Sequence, residues 1–158
     1  KETLVVRAAN ADQPKSFFKD KRISSTKGST SEQSIRLAGA TPVPFQDTGS
    51  AYMALQQNKV VGLVTNTMTA LKLVNQAKAG GVELAIAKEP MALEPIGAGM
   101  RRDEPAFLAK VNESLMAMEK AGEIDAIWER WIGPNTEYKM VREDKVQPLS
   151  ALKFEPLP

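Results

Sequence analysis

Two short polar segments hold the side chains best suited to chemistry. The first is Ser25-Thr26-Lys27-Gly28-Ser29-Thr30-Ser31, which crowds hydroxyls around one lysine and one glycine. It stands between a strand-like stretch, Arg22-Ile23-Ser24-Ser25, and a helix-like stretch that runs to about Leu37. A strand feeding a helix leaves unpaired backbone N–H groups at the helix start. With the hydroxyls and the helix dipole, these can hold a carboxylate or phosphate. The second segment, Thr65-Asn66-Thr67, directly follows the apolar run Val60-Val61-Gly62-Leu63-Val64. Polar residues just beyond a buried strand can reach a ligand. Both segments also read as ordinary helix starts. Ser29 and Glu32 have the spacing of a capping box, and Asn66 or Thr67 suits an N-cap.

Composition narrows the remaining chemistry. The 158 residues include no cysteine and no histidine. Thiol chemistry and disulfides are therefore absent, as are the usual metal ligand and the usual general base. No catalytic residue, metal ligand or cofactor is assigned. The chain has no Walker loop, nucleotide-binding glycine motif or nucleophile elbow. Net charge is only +2 and no cluster of Lys and Arg interleaves with aromatics, so nucleic-acid binding has no electrostatic support. Trp128 and Trp131 fall on one helix face with Ile124 and Ile127 and read as packing residues rather than a sugar-stacking surface. Arg101-Arg102-Asp103-Glu104 reads as a solvated helix entrance, and the methionines as core gap-fillers.

The elements that must position the two segments follow from punctuation and period. Leu4-Val5-Val6 reads as a buried strand, Asn10 to Pro14 as a break, and Ser16 to Asp20 as a short helix or turn. Gly39 ends the first helix. Thr41-Pro42-Val43-Pro44-Phe45 is extended, because proline excludes helix. Asp47 or Thr48 can cap a helix carrying Ala51, Met53, Ala54 and Leu55. Val60 to Val64 has the length of a buried parallel strand. A helix is predicted over Thr67 to Ala79, stopped by Gly80-Gly81, and a strand over Val82 to Ile86. Ile96 to Met100 is strand-like. A long helix opens at Asp103-Glu104-Pro105, Gly122 breaks it, and a short helix carries Ile124 to Trp131. Strands alternating with crossovers of helical length predict a parallel sheet covered by helices.

With 42% apolar and 25% charged residues, the chain suits one domain or one lobe with a tail. No apolar run approaches the ~20 residues that span a bilayer. Lys1-Glu2-Thr3 leads straight into a strand-like segment, so a signal peptide is not expected within the chain.

Several of these segments together resemble the periplasmic solute-binding proteins of polar amino acid ABC transporters, nearest to the glutamate/aspartate-binding type. The resemblance rests on Lys21 to Glu32, on Asp47 to Val64, on Pro95-Ile96-Gly97-Ala98-Gly99-Met100-Arg101, and on Ala121 to Trp131. It implies a three-layer αβα lobe of a type II periplasmic binding protein, with hinge-crossing strands and C-terminal helices. Residues 1–8 would be the first crossing strand, 9–94 the ligand-binding second lobe, and 95–101 the second crossing strand. Residues 102–133 would be helices belonging to lobe one, whose N-terminal part is missing, and 134–158 an irregular tail.

By position, the resemblance implies that Thr26 faces the ligand and that Ser29 and Thr30 bind its carboxylate. Asn66 falls where amino-acid binders usually carry an Asp for the α-ammonium, and Thr48 where the glutamate-binding relatives carry a His. The implied partners are a small polar solute, such as an amino acid, and a membrane permease, in a periplasmic setting. A dimer or domain swap through exposed Leu115, Met118, Ile127 and Trp131 is a further expectation. The alternatives are a dehydratase built on the same lobes, using a buried acid such as Glu32 or Asp47, or the sensor domain of a receptor.

Overall fold

A computed structural model describes residues 1–151. It divides into two compact units, residues 1–95 and the segment from Ile96 onward.

The first unit is an α/β sandwich. Its strands are β1 (Glu2–Arg7), β2 (Arg22–Thr26), β3 (Thr41–Phe45), β4 (Gly62–Asn66) and β5 (Leu84–Ile86), and its helices are α1 (Thr30–Leu37), α2 (Thr48–Gln56) and α3 (Thr67–Ala79). One sheet has the order β3-β2-β4-β1-β5. β2 pairs in parallel with both β3 and β4, whereas β1 pairs antiparallel with β4 and β5. The sheet is therefore mixed, not parallel as alternation with helices suggested. Helical crossovers fix the common direction of β2, β3 and β4. β1 precedes any crossover helix and is free to enter from the opposite end.

Strand composition explains the order. Pro42 and Pro44 cannot donate to a ladder, and they lie in β3 at the sheet's edge. Alternation along β1 and β4 sends side chains to opposite faces. Val5 and Leu63 pack with Ala51, Tyr52 and Leu55 of α2 and Ala70 and Ala77 of α3. Leu4, Val6, Ile23 and Val64 pack on the other face with Ile35 of α1 and with Phe18. Helices thus cover both faces of the lobe, giving the expected three layers.

Local expectations compare closely with the structure. α3 has the predicted limits, and Ser29 caps α1 by accepting the Glu32 amide at 3.3 Å. The predicted strand at Val60 begins two residues later, at Gly62. Val60 is buried in the core without joining the ladder, because hydrophobicity reports burial rather than pairing.

The second unit holds α4 (Pro105–Lys120) and α5 (Glu123–Trp131), separated by Gly122 in a left-handed conformation at φ 75°. Residues 95–101, expected as a crossing strand, form no strand. Their glycines offer few side chains to pack, and Ile96 is 98% exposed. The chain after α5 is not free of structure. Met140 donates its amide to the Ile132 carbonyl, and Trp128 Nε1 donates to the Met140 carbonyl at 3.2 Å. Arg142 bonds Glu119 and Asp125, and Lys145 bonds Asp125. Leu115, Ile127 and Trp131 are exposed, while Met118 is half-buried. Residues 152–158 of the expected irregular tail lie outside the described residues.

Candidate functional site

Because β2, β3 and β4 run in parallel, their carboxyl ends share one edge of the sheet. β1 runs the other way, so its first residues reach the same edge. Each of the three parallel strands is followed there by a helix start. The N-caps are Ser29 for α1, Asp47 for α2 and Asn66 for α3. Asp47, not Thr48, is the cap of α2, accepting the Ser50 amide at 2.8 Å. Three helix N-termini thus converge, each with partial positive charge.

The five residues singled out from sequence all lie on this edge. Thr26 ends β2 and Thr48 begins α2, and their hydroxyl oxygens are 3.2 Å apart. Ser29 Oγ donates to the Thr26 carbonyl at 2.6 Å while accepting from Glu32. Asn66 is exposed, and its Oδ1 accepts the Thr69 amide at 3.0 Å. Thr30 Oγ1 donates to the carboxylate of Glu2 at 3.0 Å.

Glu2 is the participant that sequence reading missed. It is 4% exposed, and its other oxygen accepts from Ser31 Oγ. In the β1–β4 ladder Glu2 stands opposite Asn66. The buried carboxylate thereby ties the α1 start to β1, while the backbone of the same residue pairs with Asn66 at the end of β4. Burial pushes the Glu2 carboxyl above its ordinary value of 4.5. Glu94 adds to this, against the opposing pull of the Ser31 and Thr30 hydroxyls. The available signal was period two: Glu2 shares its face with Leu4 and Val6, which are core residues. Beside it, the Thr3 and Thr67 hydroxyls are 2.9 Å apart and tie β1 to α3.

The acids considered for catalysis are placed otherwise. Glu32 accepts the Gly28 amide at 2.9 Å, and with Arg36 this holds its carboxyl below the usual range. Asp47 is held low by the Ser50 amide and hydroxyl. Both serve helix α1 or α2 as ionised partners, which is the opposite of a general acid poised near neutrality. Among the described residues no group of His, Cys, Asp or Glu could hold a metal ion. No helix among them is long and apolar enough to cross a membrane.

The helix-covered mixed sheet has the fold of a periplasmic-binding-protein lobe. Its relatives are amino-acid-binding proteins of ABC transporters. The ABC transporter glutamine-binding protein GlnH of Bacillus subtilis is 25% identical over 131 residues, covering 82% of this chain and 46% of the relative. The structure of an ancestral arginine-binding protein bound to arginine matches with a TM-score of 0.66 and 31% identity, over 84% of this chain and 60% of that one. An ancestral amino acid-binding protein, AncCDT-1, described as a precursor of cyclohexadienyl dehydratase, matches at 26% identity and a TM-score of 0.61, over 84% and 58%. The chain thus spans about half the length of the curated relative. No protein-family model matches it.

Proposed function

We propose that this chain is part of the extracytoplasmic solute-binding component of an ABC importer, which captures a small polar solute, an amino acid, and delivers it to a membrane permease. In this reading residues 9–94 form the ligand-binding lobe. Residues 1–8 and 95–101 cross to a second lobe, to which 102–133 belong. Closure of two lobes on the solute is the transport event, and no bond is made or broken.

The observation that carries the reading is the convergence of Thr26, Thr48, Ser29, Thr30 and Asn66 on one sheet edge beside three helix N-termini. The Thr30 and Ser31 amides at the start of α1 suit a carboxylate. Asn66 Oδ1 keeps a second lone pair beyond the one it gives the Thr69 amide, and this can accept from the ammonium end of a zwitterion. GlnH and the arginine-bound ancestral protein, named for amino acids, support the solute class.

Calorimetric titration of the full-length protein against a panel of amino acids tests it. Heat with one or more polar amino acids, reduced in Thr30→Ala, is the expected outcome. No heat with any member of the panel overturns the proposal.

A further inference from the structure

We infer that Glu2 is the positioning residue of this site: its buried carboxylate holds the α1 start against β1, beside its ladder partner Asn66, and its protonation weakens ligand binding. The inference rests on the binding function proposed above. Four contacts place Glu2 at the junction. Its carboxylate accepts from Thr30 Oγ1 at 3.0 Å and from Ser31 Oγ. Its amide donates to the Ala92 carbonyl at 2.9 Å, and its carbonyl accepts the Met91 amide at 2.8 Å. Its ladder partner is Asn66. A side chain 4% exposed cannot be a main ligand contact, so its effect passes through the groups it holds.

The charge on Glu2 matters to those groups. An ionised carboxylate offers only acceptors, so both hydroxyls must point their hydrogens at it. This fixes Thr30 Oγ1 with its lone pairs outward and leaves the Thr30 and Ser31 amides for a ligand anion. Bonds to an ionised acceptor are roughly twice as strong as neutral ones, so protonation loosens both hydroxyls. The groups facing Glu2 are Thr30 and Ser31 from α1, uncharged Asn66 from β4, and Glu94 from the segment after β5. Like burial, Glu94 favours protonation of Glu2.

Two opposite pH dependences follow. The Glu2 carboxyl titrates higher in the folded chain than unfolded. Its contribution to stability is therefore present at low pH and is lost as pH rises through its folded value. Ligand affinity runs the other way and falls as Glu2 takes up its proton. A contact that merely supported the fold would move stability and affinity together.

The test compares wild type with Glu2→Gln in the full-length protein, using L-arginine and L-glutamine as probes. In wild type the Thr30 and Ser31 amide resonances are expected to titrate with the Glu2 carboxyl carbon, and probe affinity to drop about tenfold on acidification. Glu2→Gln should show flat resonances and an affinity near the acid-form value at every pH. Resonances that ignore the Glu2 titration, or affinity with the same pH profile in both proteins, overturn the inference. If neither probe binds, the amide titration alone still decides whether Glu2 positions α1, while the binding function fails separately.

Discussion

The hydroxyl oxygens of Thr26 and Thr48 stand 3.2 Å apart, joining the end of β2 to the start of α2. Both residues are half-buried, and each hydroxyl retains a lone pair or hydrogen for a third group. Thr48→Val keeps the shape and the β-branch while removing that polar bridge. Thermal stability should fall by less than about 1 kcal/mol, because the freed Thr26 hydroxyl can turn to water. Amino-acid affinity, read by calorimetry, should fall about tenfold, the scale of one lost hydrogen bond to a charged group. Unchanged affinity removes Thr48 from the site.

Close approach of β1 and β4 depends on Gly62. A Cβ built there meets Leu4 Cδ1 at 2.7 Å, the Val5 carbonyl oxygen at 3.3 Å and Val6 Cγ1 at 3.4 Å. The strand pairing that sets Glu2 against Asn66 passes through this contact, since Gly62 is the ladder partner of Val6. Gly62→Ala should cost about 1–3 kcal/mol, the usual range for overpacking a core. Urea denaturation followed by circular dichroism measures it, with a lowered midpoint and an unchanged slope expected.

Acid should loosen the C-terminal strap in the second unit. Arg142 holds Glu119 low, and Lys145 followed by Arg142 holds Asp125 low. Depressed carboxyl values stabilise the fold above their unfolded values, and that stability is lost as pH falls through the folded ones. The window therefore lies below the ordinary values of 4.5 and 3.8. Both tryptophans of the chain lie in α5, and Trp128 bonds the strap at Met140, so intrinsic fluorescence reports this unit. A shift in emission below about pH 4 is expected, and Arg142→Ala should show the shifted emission already at neutral pH. Emission that is flat down to pH 2 in wild type contradicts this.

Much of this architecture is legible along the chain because it is local. Ser29, Glu32, Asn66 and Gly39 mark helix ends through bonds to residues three or four away, and such bonds follow from spacing. The sheet is less legible. Hydropathy cannot give the direction of β1, and the run from Val60 marks a buried segment rather than the ladder from Gly62. The two polar segments holding Thr26, Ser29, Thr30 and Asn66 stand out because strand ends and helix starts coincide, whereas Thr48 enters only through the family resemblance. Glu2 does not stand out, since a glutamate at a strand start ordinarily faces solvent. Its burial depends on Thr30 and Ser31, which lie 28 and 29 positions away. The strap has the same origin: Arg142 and Glu119 are polar in sequence and meet only in three dimensions.

Asn66 offers the sharpest change in recognition. It caps α3 through Thr69 and is exposed at the edge. Aspartate is an equally good N-cap and favours the positive end of the helix dipole, so Asn66→Asp should leave melting within about 0.5 kcal/mol. The new carboxylate would face an α-ammonium with an ion pair in place of a bond between an ion and a neutral amide. Affinity for an amino acid should rise about tenfold, and a decarboxylated amine should begin to bind detectably. The second negative charge stands across the ladder from Glu2, so it should also raise the Glu2 titration further. Calorimetry with an amino acid and its matching amine, together with the Glu2 carboxyl resonance, separates these effects. Loss of affinity in Asn66→Asp would mean that the amide itself donates to the solute, and that an acceptor rather than an ammonium sits at this end of the site.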